Sequence, residues 1–128
     1  KKNKKKYKIR NISQLGFSQQ SDLFTMLKEG SGNVPIIIDA RDVLQDPEGI
    51  LKELCIKLEI PFYKQMLIWS AGRGESDGIW GKHWYDSVKI STGFYSYSEK
   101  TGDLPPEYQD IYTACLKSFE MLQTYRLQ

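Results

Sequence analysis

The stretch Val34-Pro-Ile-Ile-Ile-Asp-Ala-Arg-Asp-Val-Leu-Gln-Asp-Pro47 decides how the chain is read. Its first five residues are apolar without alternation. That is the pattern of a strand buried on both faces, as in a parallel α/β sheet. Pro35 is tolerable because it sits at the strand's entrance. At the other end, Asp46 and Pro47 announce a helix, with a carboxylate N-cap and a proline at the first helical position. Ile50, Leu51, Leu54, Cys55 and Leu58 recur at helical spacing through residue 59. Ile60-Pro61-Phe62 ends that helix, since a residue before proline is pushed out of the helical region.

Outward from this core, Ser18 opens a helix with Leu23, Phe24 and Leu27 on one face and Gly30 as its stop. Ser31-Gly32-Asn33 is a turn. After the central helix, Tyr63 to Leu67 forms a short helical turn. The segment Trp69 to Gly81 holds Gly72, Gly74, Gly78 and Gly81 with Trp69 and Trp80. It reads as a glycine-rich loop fastened by large rings. His83 to Ile90 is a short helix, Thr92-Gly93-Phe94 a turn, and Ser96 to Asp103 a polar loop. Pro105-Pro106 opens a last helix, and Tyr108, Ile111, Tyr112, Cys115, Leu116, Phe119 and Leu122 form its packing stripe.

Only one strand is called, and a single buried strand is not a sheet. The chain therefore reads as the back part of an α/β domain, or as a piece that completes its core against another polypeptide. It opens without an initiator Met, so it is expected to begin inside, or after processing of, a longer product.

The 128 residues are 40% hydrophobic, 27% charged and 12% aromatic, which suits one soluble domain and excludes a disordered tail. No apolar run approaches the roughly 18 residues of a membrane span, and no apolar segment follows the basic start as in a signal peptide. A soluble, intracellular protein is the expectation. Residues 1–10 carry seven positive charges (Lys1, Lys2, Lys4, Lys5, Lys6, Lys8, Arg10) and no acid. The rest holds eleven basic and sixteen acidic side chains, a net of −5. A basic arm over residues 1–14 thus precedes a mildly acidic body at 15–128. The arm is either a solvated terminus or a contact for nucleic acid, an anionic membrane or an acidic partner. Nucleic acid is the least favoured, because the body's aromatics are not interleaved with Lys and Arg. Cys55 and Cys115 each lie among apolar residues at helical spacing, as two reduced, buried hydrophobes. One His and two distant Cys make no zinc site, and no metal is expected.

Three strings carry a family resemblance. The first is Pro35 to Pro47 with its helix and the closing Ile60-Pro61-Phe62. The second runs Leu67-Ile-Trp-Ser-Ala-Gly-Arg73, then Asp77-Gly-Ile-Trp-Gly-Lys-His-Trp-Tyr85. The third is Ser91-Thr-Gly-Phe94. Together they resemble the bacterial-type sulfotransferase-like family of the P-loop superfamily, also found attached to some branched-chain aminotransferase-like proteins. The resemblance spans roughly residues 15–122 and matches the family's carboxyl-terminal part. It implies a three-layer parallel α/β sheet of the nucleotide-kinase type, present here only in part. It also implies 3′-phosphoadenosine 5′-phosphosulfate as sulfuryl donor. By the same resemblance Arg73, Gly74 and Lys82 form the late basic loop that holds the 3′-phosphate, where an Arg fork and a Lys ammonium grip phosphate oxygens.

The departures matter as much. No Gly-x-x-Gly-x-x-Lys-Ser/Thr-like phosphate loop occurs in the 128 residues. Arg73-Gly74-Glu75 places an acid where the family often has a second cation, which weakens an anion site. The alternative for Arg73 and Lys82 is a structural loop with solvated or paired charges. His83 is either a base that titrates near neutrality or a local hydrogen-bonding group. Trp69, Trp80, Trp84 and Tyr85 either stack on a ring or anchor the loop. Asp39 and Asp42 sit at the strand's carboxyl end, where α/β ligands bind, or cap a helix. No general base is identified.

Two functions compete. One is a fragment of a sulfotransferase-like protein that, at full length, transfers a sulfuryl group to a hydroxyl or amine acceptor. The other is a non-catalytic structural or accessory subunit on a degenerate scaffold. Either way the partner is another polypeptide or the missing front of the domain, and the chain alone is expected to be inactive.

Overall fold

In the computed structural model, which describes residues 9–72 and 86–127, the first helix, α1, runs Phe17–Ser31. It starts at Gly16 rather than at Ser18. Gly16 turns the chain with φ 77, a left-handed conformation that glycine adopts without a Cβ clash. The Ser18 hydroxyl donates to Gln19 Oε1 at 3.0 Å and caps nothing. The stop also moves. Gly30 lies inside α1, and Gly32 at φ 71 closes it, its N–H donating to the Lys28 carbonyl at 3.1 Å. The Ser31 hydroxyl helps carry the helix past Gly30 by donating to the Leu27 carbonyl at 2.7 Å.

Residues 9–37 and 100–126 make one of two compact units. A 3-10 turn at Ile12–Gln14 precedes α1, with the Gln14 side chain accepting from Arg10 N at 2.7 Å. The long helix of this unit, numbered below, runs Gln109–Gln123 and is entered through a 3-10 turn at Pro106–Tyr108, so the Pro105-Pro106 start holds. It packs against α1 and the Ile12–Gln14 turn. Phe24 of α1 is 5% exposed, and its ring meets that of Tyr125 at 4.7 Å between centroids. Lys28 Nζ donates to the Tyr125 hydroxyl at 3.1 Å and lies 4.7 Å from the ring centroid. Burying Phe24 contributes about 1.5–3 kcal/mol.

Residues 34–38 belong to no helix and carry one parallel bridge, between Ile37 and Arg126. Val34, Ile36 and Ile38 remain exposed at 53%, 37% and 41%. Among the described residues no strand longer than an isolated bridge occurs. Among the described residues the run's backbone pairing is this one bridge.

The second unit comprises residues 38–72, 86–99 and 127. It carries α2 (Ala40–Gln45), α3 (Pro47–Lys57), a 3-10 turn at Lys64–Met66 and a short α4 (Asp86–Lys89). The helix Gln109–Gln123 is accordingly α5. The sequence predicts no separate helix where α2 lies. Asp39 caps it, with Oδ1 accepting from Arg41 N at 2.8 Å. Asp46 caps α3, with Oδ1 accepting from Gly49 N at 2.9 Å, and Pro47 follows it. Glu48 and Lys52 pair at 2.6 Å one turn apart. Ile50 and Cys55 turn inward, and Cys55 Sγ lies 3.9 Å from Met66 Sδ. Cys115 of α5 is likewise buried and free. No helix among the described residues is long and apolar enough to cross a membrane.

Candidate functional site

The chemistry expected of the chain centres on the glycine-rich segment, and the structure describes how that segment is entered and left. On the entry side, Ile68 forms an antiparallel bridge with Gly93, and Trp69 N donates to the Thr92 carbonyl at 3.1 Å. Three residues on, Gly72 N donates to the Lys89 carbonyl at 2.7 Å. Gly93 suits this crossing, since a Cβ there would stand 3.1 Å from the Leu67 carbonyl oxygen, a tight approach from which the backbone would have to draw back slightly. Two backbone runs that are far apart in sequence therefore lie side by side, as a clasp at the foot of the segment.

A side-chain pair locks the clasp. Trp69 Nε1–H donates to Ser91 Oγ at 2.9 Å, and Ser91 O–H donates to the Val88 carbonyl at 2.7 Å. Ser91 is 5% exposed, so both its donor and its acceptor capacity are used where water does not reach. The Trp69 ring also stands edge-on to Phe94, with centroids 5.4 Å apart and planes at 83°, the T-shaped arrangement aromatic quadrupoles favour. Of the two readings of Trp69, anchoring is the one this geometry supports.

The family model of the sulfotransferase domain matches residues 3–125. The chain belongs to the sulfotransferase domain family. Two curated proteins of Arabidopsis thaliana are also similar to this sulfotransferase-family chain. Branched-chain-amino-acid aminotransferase-like protein 2 is 36% identical over 115 residues, covering 90% of this chain and 20% of that protein. Branched-chain-amino-acid aminotransferase-like protein 1 is 36% identical over 112 residues, covering 88% and 20%. The chain thus spans about a fifth of the length of these curated relatives. No solved structure matches it.

In this sulfotransferase-family chain the candidate residues Arg73, Gly74 and Lys82 lie outside the described residues, as do Trp80, His83, Trp84 and Tyr85. Gly72, next to Arg73 in sequence, has its N–H engaged by the Lys89 carbonyl. Asp39 acts as a helix cap. Ser91 lies in the third string, and the sequence assigns it no role. Its signal was the pairing of a small hydroxyl with a Trp in a neighbouring string, which only folding reveals as a contact. Among the described residues no group of three His, Cys, Asp or Glu is placed to hold a metal.

Away from the clasp, the first unit has an apolar groove of about 410 Å³ lined by Leu15, Phe17, Tyr108, Tyr112, Cys115 and Phe119, among others. Several of these belong to the stripe read as packing. The groove offers almost no polar group to orient a reacting substrate, and a reaction site needs a few.

Proposed function

We propose that this chain is part of a sulfotransferase that, at full length, moves a sulfuryl group from 3′-phosphoadenosine 5′-phosphosulfate to a hydroxyl or amine acceptor. The observation that carries this reading is the sulfotransferase-domain match over residues 3–125. The clasp adds support, because it brings the two strings that flank the basic loop to a common foot. The nucleotide supplies the sulfuryl group. This chain's part is Arg73, Lys82 and the Gly74 amide, a donor set that suits one phosphate. The same donors do not make a cradle for the 5′-phosphosulfate, which needs a run of backbone amides and a Lys. No such loop occurs in residues 1–128, so the front of the domain supplies it. The aminotransferase in the relatives' names belongs, in this reading, to the four-fifths of their length that this chain does not cover.

A second reading is favoured by one feature, the absence of a phosphate-loop sequence from these 128 residues. It makes the chain a structural or accessory piece on the same scaffold. Calorimetry with adenosine 3′,5′-bisphosphate separates the two. Two charge-assisted hydrogen bonds at roughly 1.5–3 kcal/mol each, set against at least about 4 kcal/mol for association, leave the 128-residue chain at millimolar affinity or weaker. The full-length protein binds in the micromolar range and loses at least about tenfold in Arg73→Ala, one such bond. Full-length protein that neither binds the nucleotide nor transfers sulfuryl from it identifies the accessory subunit.

A further inference from the structure

Three pairings join the runs 68–72 and 89–93 in one antiparallel register: Ile68 with Gly93, Trp69 N with the Thr92 carbonyl, and Gly72 N with the Lys89 carbonyl. The two crossing hydrogen bonds stand three residues apart, where a regular ladder repeats every second residue. Between them the Ser91 amide turns back on its own run and donates to the Val88 carbonyl at 3.1 Å. The tie across that gap is made by side chains, from Trp69 Nε1–H to Ser91 Oγ at 2.9 Å. Just beyond it stands Gly72 with φ 134, a backbone conformation that glycine adopts without a Cβ clash. Arg73 is the next residue in the chain.

We propose that Ser91 is a positioning residue for nucleotide binding. It does not touch the nucleotide. Through Trp69 it fixes Gly72, and with it the point in the backbone from which Arg73 reaches a phosphate. The inference rests on the sulfuryl-transfer reading and on the part that reading gives to Arg73. An Arg fork grips phosphate oxygens through directional bonds, so what it contributes depends on where its backbone starts. A misplacement of about 1 Å in a positioned group can cost about 100-fold. Ser91 suits the holding role because its hydroxyl is 5% exposed, and a hydrogen bond shielded from water is stronger than one that water contests. Its own O–H is committed to the Val88 carbonyl at 2.7 Å, which leaves the oxygen's lone pairs facing the indole. One hydroxyl therefore joins both runs at the place where the backbone ladder skips.

Two nucleotides test it in the full-length protein by calorimetry. Adenosine 3′,5′-bisphosphate carries the phosphate assigned to Arg73, and adenosine 5′-phosphate lacks it. Ser91→Ala is expected to weaken the bisphosphate about tenfold and to leave the monophosphate within about twofold, as when an outer residue orients one binding group. Trp69→Phe, the milder change, follows the same pattern and serves if Ser91→Ala does not fold. In an Arg73→Ala background Ser91→Ala has no further effect, because a residue that acts through another is silent once that one is gone. Equal weakening of both nucleotides marks a merely structural role and overturns the proposal. So does a loss that adds to that of Arg73→Ala. Unchanged bisphosphate affinity in both variants also overturns it, and the sulfuryl-transfer reading then stands. A wild-type protein that holds the two nucleotides equally fails that reading first and takes the proposal with it.

Discussion

Trp69 and Ser91, 22 positions apart in the chain, share a hydrogen bond of 2.9 Å at a nearly solvent-free hydroxyl. The bond is one half of a relay, because the same hydroxyl donates to the Val88 carbonyl at 2.7 Å. Ser91→Ala removes both links and leaves the indole N–H without its acceptor. The expected loss is about 1–3 kcal/mol in urea unfolding. Trp69→Phe keeps an aromatic ring beside Phe94 but deletes the donor, and costs about 1 kcal/mol. A Ser91→Ala change below about 0.5 kcal/mol would show that the relay does not hold the clasp.

Two glycines at the end of α1 are expected to respond with opposite signs. Gly30 is inside the helix, and a Cβ there meets nothing within 4 Å. Gly30→Ala therefore stabilises by up to about 1 kcal/mol. Gly32 has equally open space but sits at φ +71, so Gly32→Ala destabilises by about 1 kcal/mol or more. Thermal melts of the two single variants check the signs, and a stabilising Gly32→Ala would contradict the left-handed cap.

The start of α3 depends on a pair in which each residue excludes change in the other. Asp46→Ala removes the acceptor for Gly49 N and costs about 0.5–2 kcal/mol. Gly49→Ala, which in an ordinary helix would be favourable, drives its methyl into the Asp46 carboxylate. We expect it to destabilise as well. The double variant should then lose less than the sum of the two, because a cap already removed is not broken by crowding.

Glu48 sets a pH dependence of small size. Its hydrogen bond to Lys52, with the Coulombic attraction of the same ammonium, holds its carboxyl below the ordinary value. A depressed carboxyl stabilises the folded chain above its unfolded pKa, and that contribution disappears as the pH falls through the folded value. The melting-temperature difference between wild type and Glu48→Gln should therefore shrink on going from pH 6 to pH 3. Half-molar salt should shrink it at pH 6, since the pair is exposed. A difference that grows towards acid would show that the pair is not the cause.

The elements most legible in the sequence were those announced by side chains that act locally. Asp46-Pro47 marks the start of α3 by itself, and Pro105-Pro106 marks the entry to α5. Gly30 and Gly32 are both legitimate helix stops, and the choice between them turns on backbone dihedrals set by Ser31 and Lys28 contacts. α2 has six residues, too short for a periodic pattern, so in the sequence Asp39 and Asp42 read equally as ligand contacts or as a helix cap. The run at 34–38 reads as a buried strand, whereas the structure gives it one parallel bridge and exposes Val34, Ile36 and Ile38, for which the apolar sequence carries no signal. At the site, the strings flanking the loop were recognisable as a family pattern. Their meeting through Trp69, Ser91 and Gly93 was not, because sequence separation hides contacts that only the folded backbone creates.

The two buried thiols have a practical consequence. Cys55 sits in α3 of one unit and Cys115 in α5 of the other, 4% and 7% exposed and neither bonded to a partner cysteine. A thiol reagent reaches each only when its own unit opens. The wild-type chain therefore carries one native clock per unit, with no label to engineer. If the two sulfurs are modified at one common rate over a range of urea concentrations, the units open as a single cooperative body. Separate rates would give each unit its own opening free energy.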